Sequence, residues 1–253
     1  MEYLLVLALC SMRWFCIARV NPLGTPWWLR LLALLSVALP MALIGVVLKL
    51  WSDPNVRSDD LVFFCFFLAG AGWMIASDWI WEMLGLSLRD DVLERHNPAT
   101  PLVIAGAYLG TALCFAGANI GNGPGWPAVL LCASLSTLAL FALWWGLNAC
   151  TRMGFWVTVD GHLAIGLRIS VLLVVWGIIL GRSVAGPWVS TRHTLVSFAE
   201  LASPSIVLLL VEIRIHRRFK QCPRDPSVLR WGWLPALAYA GFAILFLVLT
   251  LPW

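Results

Sequence analysis

Residues Glu94–Trp126 read ERHNPATPLVIAGAYLGTALCFAGANIGNGPGW. A polar opening, Glu94–Pro101, leads into an apolar run that carries Gly106 and Gly110 and closes in a loop of Gly, Asn, Pro and Trp. The same order returns downstream as VDGHLAIG (Val159–Gly166), a second apolar run, and GRSVAGPW (Gly181–Trp188). A polar motif, a span of membrane-crossing length and a Gly- and Pro-containing loop ending in Trp, met twice in one order, are what a tandem duplication of a helical hairpin leaves behind. The repeat units are residues 61–125 and 126–188, flanked by 1–60 and 189–253 within a single integral membrane domain over 1–253.

Working outward, 61% hydrophobic and 12% charged residues make the chain too apolar for one soluble core, so lipid must be its solvent. The expected fold class is all-α, a polytopic transmembrane helical bundle of about eight helices. A membrane helix needs about 20 apolar residues. The candidates are Glu2–Arg19, Leu31–Trp51, Leu61–Leu86, Leu102–Ile120, Ala128–Cys150, His162–Ser183, Leu195–Ile213 and Leu234–Pro252. The first is short and interrupted by Arg13, so seven spans with an interfacial N-terminal segment is the alternative. It reads as a retained helix and not a secretory signal, because Arg13 and Arg19 follow the apolar run and no small-x-small cleavage site comes after them.

Lys and Arg placement orients the bundle. In the loop after the seventh span, Arg214, Arg217, Arg218, Lys220, Arg224 and Arg230 face one acid, Asp225, which predicts a cytoplasmic loop. Counting back, Val20–Arg30, Arg89–Pro101 and Thr151–Gly161 are cytoplasmic, and Ser52–Asp60, Gly121–Pro127 and Val184–Thr194 face outward. The fourth and sixth spans then run in the same direction, which makes the two repeats parallel and not inverted. Trp27, Trp28, Trp51, Trp126, Trp188, Trp231, Trp233 and Trp253 fall at span ends, as an interfacial belt requires, while other tryptophans are packing residues.

ERHNPA followed by GAYLG, and VDGHLAIGL a loop and a helix later, resemble the YjfL family of uncharacterised bacterial inner-membrane proteins over residues 61–188. In that family an acid, then Gly-Asn or Arg-Asn, then small residues mark the cytoplasmic start of a helix in each repeat. Glu94, Asn97 and Ala99 match the first mark, and Asp160, Gly161 and Ala164 the second. His162 stands where Asn is usual, and Pro98 and Pro101 interrupt the small-residue run. The resemblance implies paired hairpins and a multi-pass location in the bacterial cell inner (cytoplasmic) membrane; it implies no activity.

Glu94 and Asp160 precede helix starts, where a carboxylate caps exposed N–H groups. The competing reading joins Glu94, His96, Asn97, Asp160 and His162 in a polar vestibule, with the histidines as titrating groups. Ionisable residues inside spans need partners. The expected intramembrane pairs set Arg168 against Asp78 and Glu82, which lie one turn apart, and Arg182 against Glu200, either as structural pairs or along a path. Lys49 and Glu212 sit close enough to span ends to snorkel. Gly106 and Gly110 form a G-x-x-x-G step for close internal helix packing.

The scattered cysteines lack zinc spacing, and Cys10, Cys16, Cys65, Cys114 and Cys132 lie in apolar runs as buried thiols, so no metal site is expected. The glycine loop at Gly121–Gly125 lacks the Lys-Ser/Thr of a phosphate cradle, and neither a nucleophile elbow nor a zincin motif is present. No enzyme, cofactor or nucleic-acid reading follows. Two function classes remain: an ion or small-solute pathway through the repeat pair, or a structural or assembly subunit of a membrane complex. Expected partners are the lipid bilayer and either further copies, as a homo-oligomer, or other membrane subunits.

Overall fold

The computed structural model describes residues 26–88, 91, 97–123, 125–221 and 227–250. The expected first span, Glu2–Arg19, lies outside the described residues, as do Glu94 and His96. Among the described residues there are nine α-helices and no strand: α1 (Trp27–Leu50), α2 (Pro54–Ser58), α3 (Asp60–Met83), α4 (Thr100–Ala118), α5 (Trp126–Thr151), α6 (Met153–Thr158), α7 (Leu163–Val184), α8 (Thr191–Gln221) and α9 (Leu234–Thr250). A π-helical turn, Leu229–Trp233, leads directly into α9. Seven of these helices, all but α2 and α6 and with the π turn counted into α9, are long and apolar enough to cross a membrane, so the chain is a multi-pass helical membrane protein. Two ends can be distinguished: a basic end, where α8 finishes with Arg217, Arg218 and Lys220, and a loop end, where the glycine-rich turns lie.

The two short helices sit where loops were expected, and local chemistry explains α2. Asp53 caps it, its Oδ1 accepting from Asn55 N at 2.9 Å with Pro54 in the first turn. Asp59 then caps α3 by accepting from Leu61 N at 2.8 Å. At the other end, Arg152 ends α5 and opens α6 in the left-handed region, φ 57°, a conformation usually left to Gly or Asn.

α4 and α7 form the centre. Their apolar windows are 72% and 67% buried, against 11% for α8. They run parallel, and neighbours follow in one order along both: Ala99 with Gly166, Gly106 with Ser170, Gly110 with Gly177, Leu113 with Gly181. A Cβ on Gly177 would lie 2.5 Å from Gly110 Cα, and one on Gly110 would lie 2.6 Å from the Leu173 carbonyl oxygen. The internal G-x-x-x-G expectation holds, and Gly177 with Gly181 supplies a matching step on the facing helix. At the loop end the two turns join: Gly186 N donates to Ile120 O and Trp188 N to Asn122 O, both at 2.9 Å.

The other spans wrap this pair. α1 and α3 pack on α4, α5 packs on both central helices, and α8 and α9 pack on α7. In lipid no hydrophobic force drives helices together, so dense packing and interhelical hydrogen bonds hold them. Tryptophan supplies several such bonds from inside the bundle. Trp81 Nε1 donates to Thr111 Oγ1 at 3.1 Å, Trp144 Nε1 to Leu84 O at 3.2 Å and Trp176 Nε1 to Ser205 O at 3.1 Å, and all three rings are fully buried. The exposed Trp27, Trp51, Trp126 and Trp233 stand at span ends as belt residues.

Candidate functional site

A fully buried ion pair is built by α7, α8 and the π turn with α9. Arg168 lies about 8 Å along α7 from its start at the basic end, at ~1.5 Å per residue, and is fully buried. Its Nε donates to Glu212 Oε1 at 2.9 Å, NH2 lies 2.8 Å from the same oxygen off the hydrogen-bonding direction, and NH1 donates to Trp231 O at 2.7 Å. Glu212 is equally buried and accepts at Oε2 from Tyr239 OH at 2.7 Å. One positive and one negative group are thereby held in contact, with Nε, NH1 and both carboxylate oxygens hydrogen-bonded and NH2 supplying charge alone, and those bonds offset part of the pair's desolvation.

This arrangement corrects the expected pairing of Arg168 with Asp78 and Glu82. Asp78, on α3, accepts from Tyr108 OH on α4. Arg168 faces α8 and α9 instead. The snorkelling expectation for Glu212 is corrected too, because it ends the span near Arg214, yet α8 continues to Gln221 and carries Glu212 inside. The expected pairing of Arg182 with Glu200 also fails. Arg182 donates to Ala185 O at 3.2 Å and to Thr250 O, while Glu200 is on the exposed face of α8. Lys49 does sit at a span end, 3.4 Å from Asp60.

Of the vestibule residues, Asn97 is buried and joins the two motif regions. Its Nδ2 donates to Val157 O at 2.6 Å and to Thr158 O at 3.0 Å, while Oδ1 accepts from Ala99 N at 2.8 Å. The amide therefore fixes the start of α4 against the segment that leads into α7. Asp160 is exposed, and the residue capping α7 is His162, which makes no side-chain cap bond. The His162 ring stacks on Trp156, centroids 5.2 Å apart, beside Phe219. Asn97→Ala removes three bonds at a buried position and is expected to lower stability by about 1–3 kcal/mol, read as an earlier midpoint in thermal unfolding in detergent.

Two features were not foreseen. The first is a cavity of about 570 Å³ at the loop end, walled by Asp53, Phe66, Asn119, Trp126, His193 and Ser197 among others. The second is a polar line on the buried face of α8. Ser197 and Leu201 belong to the cavity wall, and Ser205, Glu212 and His216 follow on the same face toward the basic end, with the buried Leu208 between Ser205 and Glu212 and the exposed Lys220 one turn beyond His216. Ser205 Oγ and both ring nitrogens of His216 are buried without a hydrogen-bond partner among the described residues. The Thr151 carbonyl is near the His216 ring but outside hydrogen-bond geometry. The i, i+4 steps from Glu212 to His216 to Lys220 were the available signal, and Leu201 and Leu208 interrupt it toward the cavity.

Among the described residues no group of three His, Cys, Asp or Glu is placed to hold a metal ion. No protein-family model matches the chain, and no match is found among curated proteins or solved structures.

Proposed function

We propose that this multi-pass membrane protein forms a pathway for a small ion or polar solute, entered from the cavity at the loop end. The observation that carries the reading is the set of polar residues on the inner face of α8, from Ser197 in the cavity wall past Leu201 to Ser205 and, beyond Leu208, to Glu212 and His216; Ser205 Oγ and the His216 ring nitrogens, on either side of the Arg168–Glu212 pair, are unpartnered among the described residues. Polar groups at membrane depth are costly and mark ion paths when they line up. The parallel crossing of α4 and α7 is compatible with descent of the two hairpins from one duplicated unit. The basic end is assigned to the cytoplasm, and the bacterial inner membrane is the membrane the motif resemblance favours.

In proteoliposomes the parent is expected to pass protons, an alkali cation or a small neutral solute. Ser197→Trp, which fills the cavity wall, and His216→Phe, which keeps the aromatic packing, should each lower flux about tenfold, equivalent to ~1.4 kcal/mol of barrier, at unchanged folded yield. A parent that passes none of these solutes would sink the pathway. The assembly reading would then take its place, favoured by Glu200 and Ser203 on the outer face of α8 among exposed Val196, Ile206 and Val207. A carboxylate on that face is better covered by a partner subunit than by lipid.

A further inference from the structure

At the basic end, one turn of α8 beyond His216, a groove of about 470 Å³ lies between the end of α5, the short helix α6 and the last turn of α8. Its walls are Asn148, Arg152, Phe155, Trp156 and Lys220. The groove is cationic: neither Arg152 nor Lys220 has a carboxylate partner among the described residues. Lys220 Nζ is 5.5 Å from the centroid of the Trp156 ring and 3.4 Å from Thr151 O, which leaves further ammonium donors for the groove. Asn148 Oδ1 accepts from Gly154 N at 2.8 Å and ties the α5–α6 corner together.

Arg152 is the one non-glycine residue with positive φ among the described residues. A glycine at this helix junction would relieve the backbone, so an arginine held there is strained in a position where its side chain serves the groove. The surroundings identify the source of the anion. Phe155 is 54% exposed, and Trp145 and Leu138, about two turns apart on the same side of α5, are 65% and 61% exposed. An apolar strip therefore runs from the groove along the outer surface of a membrane-spanning helix. A free phosphate would use the cations and leave that strip unused; a phospholipid uses both.

We propose that this groove binds the phosphate headgroup of an anionic phospholipid, with Arg152 and Lys220 on the phosphate, Trp156 at the interfacial level and an acyl chain along Trp145 and Leu138. Basic pockets between helices at the cytoplasmic face are suited to such headgroups.

Native mass spectrometry of the full chain, released from nanodiscs containing phosphatidylglycerol and phosphatidylcholine in equal amounts, tests this. The parent is expected to retain phosphatidylglycerol in preference to phosphatidylcholine. The double variant Arg152→Gln/Lys220→Gln should lose that preference by about thirtyfold in apparent affinity, the weight of two basic side chains at an anionic surface. Arg217→Gln, an exposed change on α8 outside the groove walls, should retain it. Arg152→Gly, which relaxes the backbone while removing the charge, guards against misfolding as the cause: it should fold and still bind less lipid. Equal retention of both lipids by the parent, or unchanged phosphatidylglycerol adducts in the double variant, would overturn the site. Protection of the parent by millimolar inorganic phosphate that matches the effect of the lipid would also overturn it, by showing a soluble-anion site.

Discussion

Replacing Arg168 by methionine is expected to destabilise the folded protein by about 3–5 kcal/mol, the typical result of removing one partner of a buried ion pair. The guanidinium supplies the counter-charge to Glu212 and caps the Trp231 carbonyl, so its loss strands a buried carboxylate and a backbone acceptor together. Tyr239 alone, donating at 2.7 Å, does not neutralise Glu212. The fraction of SDS needed to unfold the protein in mixed micelles should fall sharply. Arg168→Met combined with Glu212→Gln should recover a large part of the loss, because no uncompensated charge remains. Asp78→Asn serves as the contrast: its partner is Tyr108, so combining it with Arg168→Met should give no recovery. Unfolding of Arg168→Met at the parent's SDS fraction would show that the pair is not what holds α7, α8 and α9 together.

Gly177→Ala is the second change with a large expected effect. Its methyl would stand 2.5 Å from Gly110 Cα and 2.6 Å from Gly110 O, and these backbone atoms move only if α4 and α7 separate. The cost expected from overpacking is about 1–3 kcal/mol, and Gly110→Leu, aimed at Leu173 O and Leu140, should be worse. A methyl added at Gly241 on α9 would meet nothing within 4 Å. Gly241→Ala should therefore be neutral or stabilising by up to ~1 kcal/mol through helix propensity. The same thermal unfolding series reads all three. A Gly177→Ala protein as stable as the parent would mean that the central crossing is looser than 2.5 Å implies.

The helical, multi-pass nature of the chain was legible because apolar length is a direct physical demand of the bilayer. Gly106 and Gly110 were legible as a close-packing step for the same reason: lipid-phase packing rewards small residues at fixed spacing. The partner of Arg168 was not. Sequence ends the seventh span at the first cluster of arginines, whereas the backbone continues two turns beyond Ile213, and only that continuation places Glu212 at Arg168's depth. Depth alone pointed the other way: Asp78 lies as many residues from the basic end of α3 as Arg168 does from that of α7, whereas Glu212 lies further from the end of α8, so only the packing of α8 on α7 identifies the partner. The loop-end cavity was illegible for a different reason: its wall combines Asp53, the two flanks of the α4–α5 loop at Asn119 and Trp126, and His193, three separate parts of the chain, each ordinary within its own turn. Asn97 was singled out as a motif residue, and its place at the start of α4 agrees with that; its bonds to Val157 and Thr158 require the tertiary fold.

The parallel contact between α4 and α7 also sets a timetable for biosynthesis. Parallel neighbours cannot be consecutive, so α4 enters the bilayer before α5 and α6 and well before its main partner has been made. At ~5–20 residues per second the wait is on the order of seconds. α4 is also the least apolar of the seven spans, with a mean hydropathy of 1.6. Its early shelter comes from α1 and α3, already present on one flank, with Phe115 against Trp73. The flank bearing Gly106, Gly110 and Gly117 stays open until α7 arrives, and for that interval the nascent chain presents a smooth, backbone-exposing surface on which any other small-residue helix in the translocating membrane could settle first.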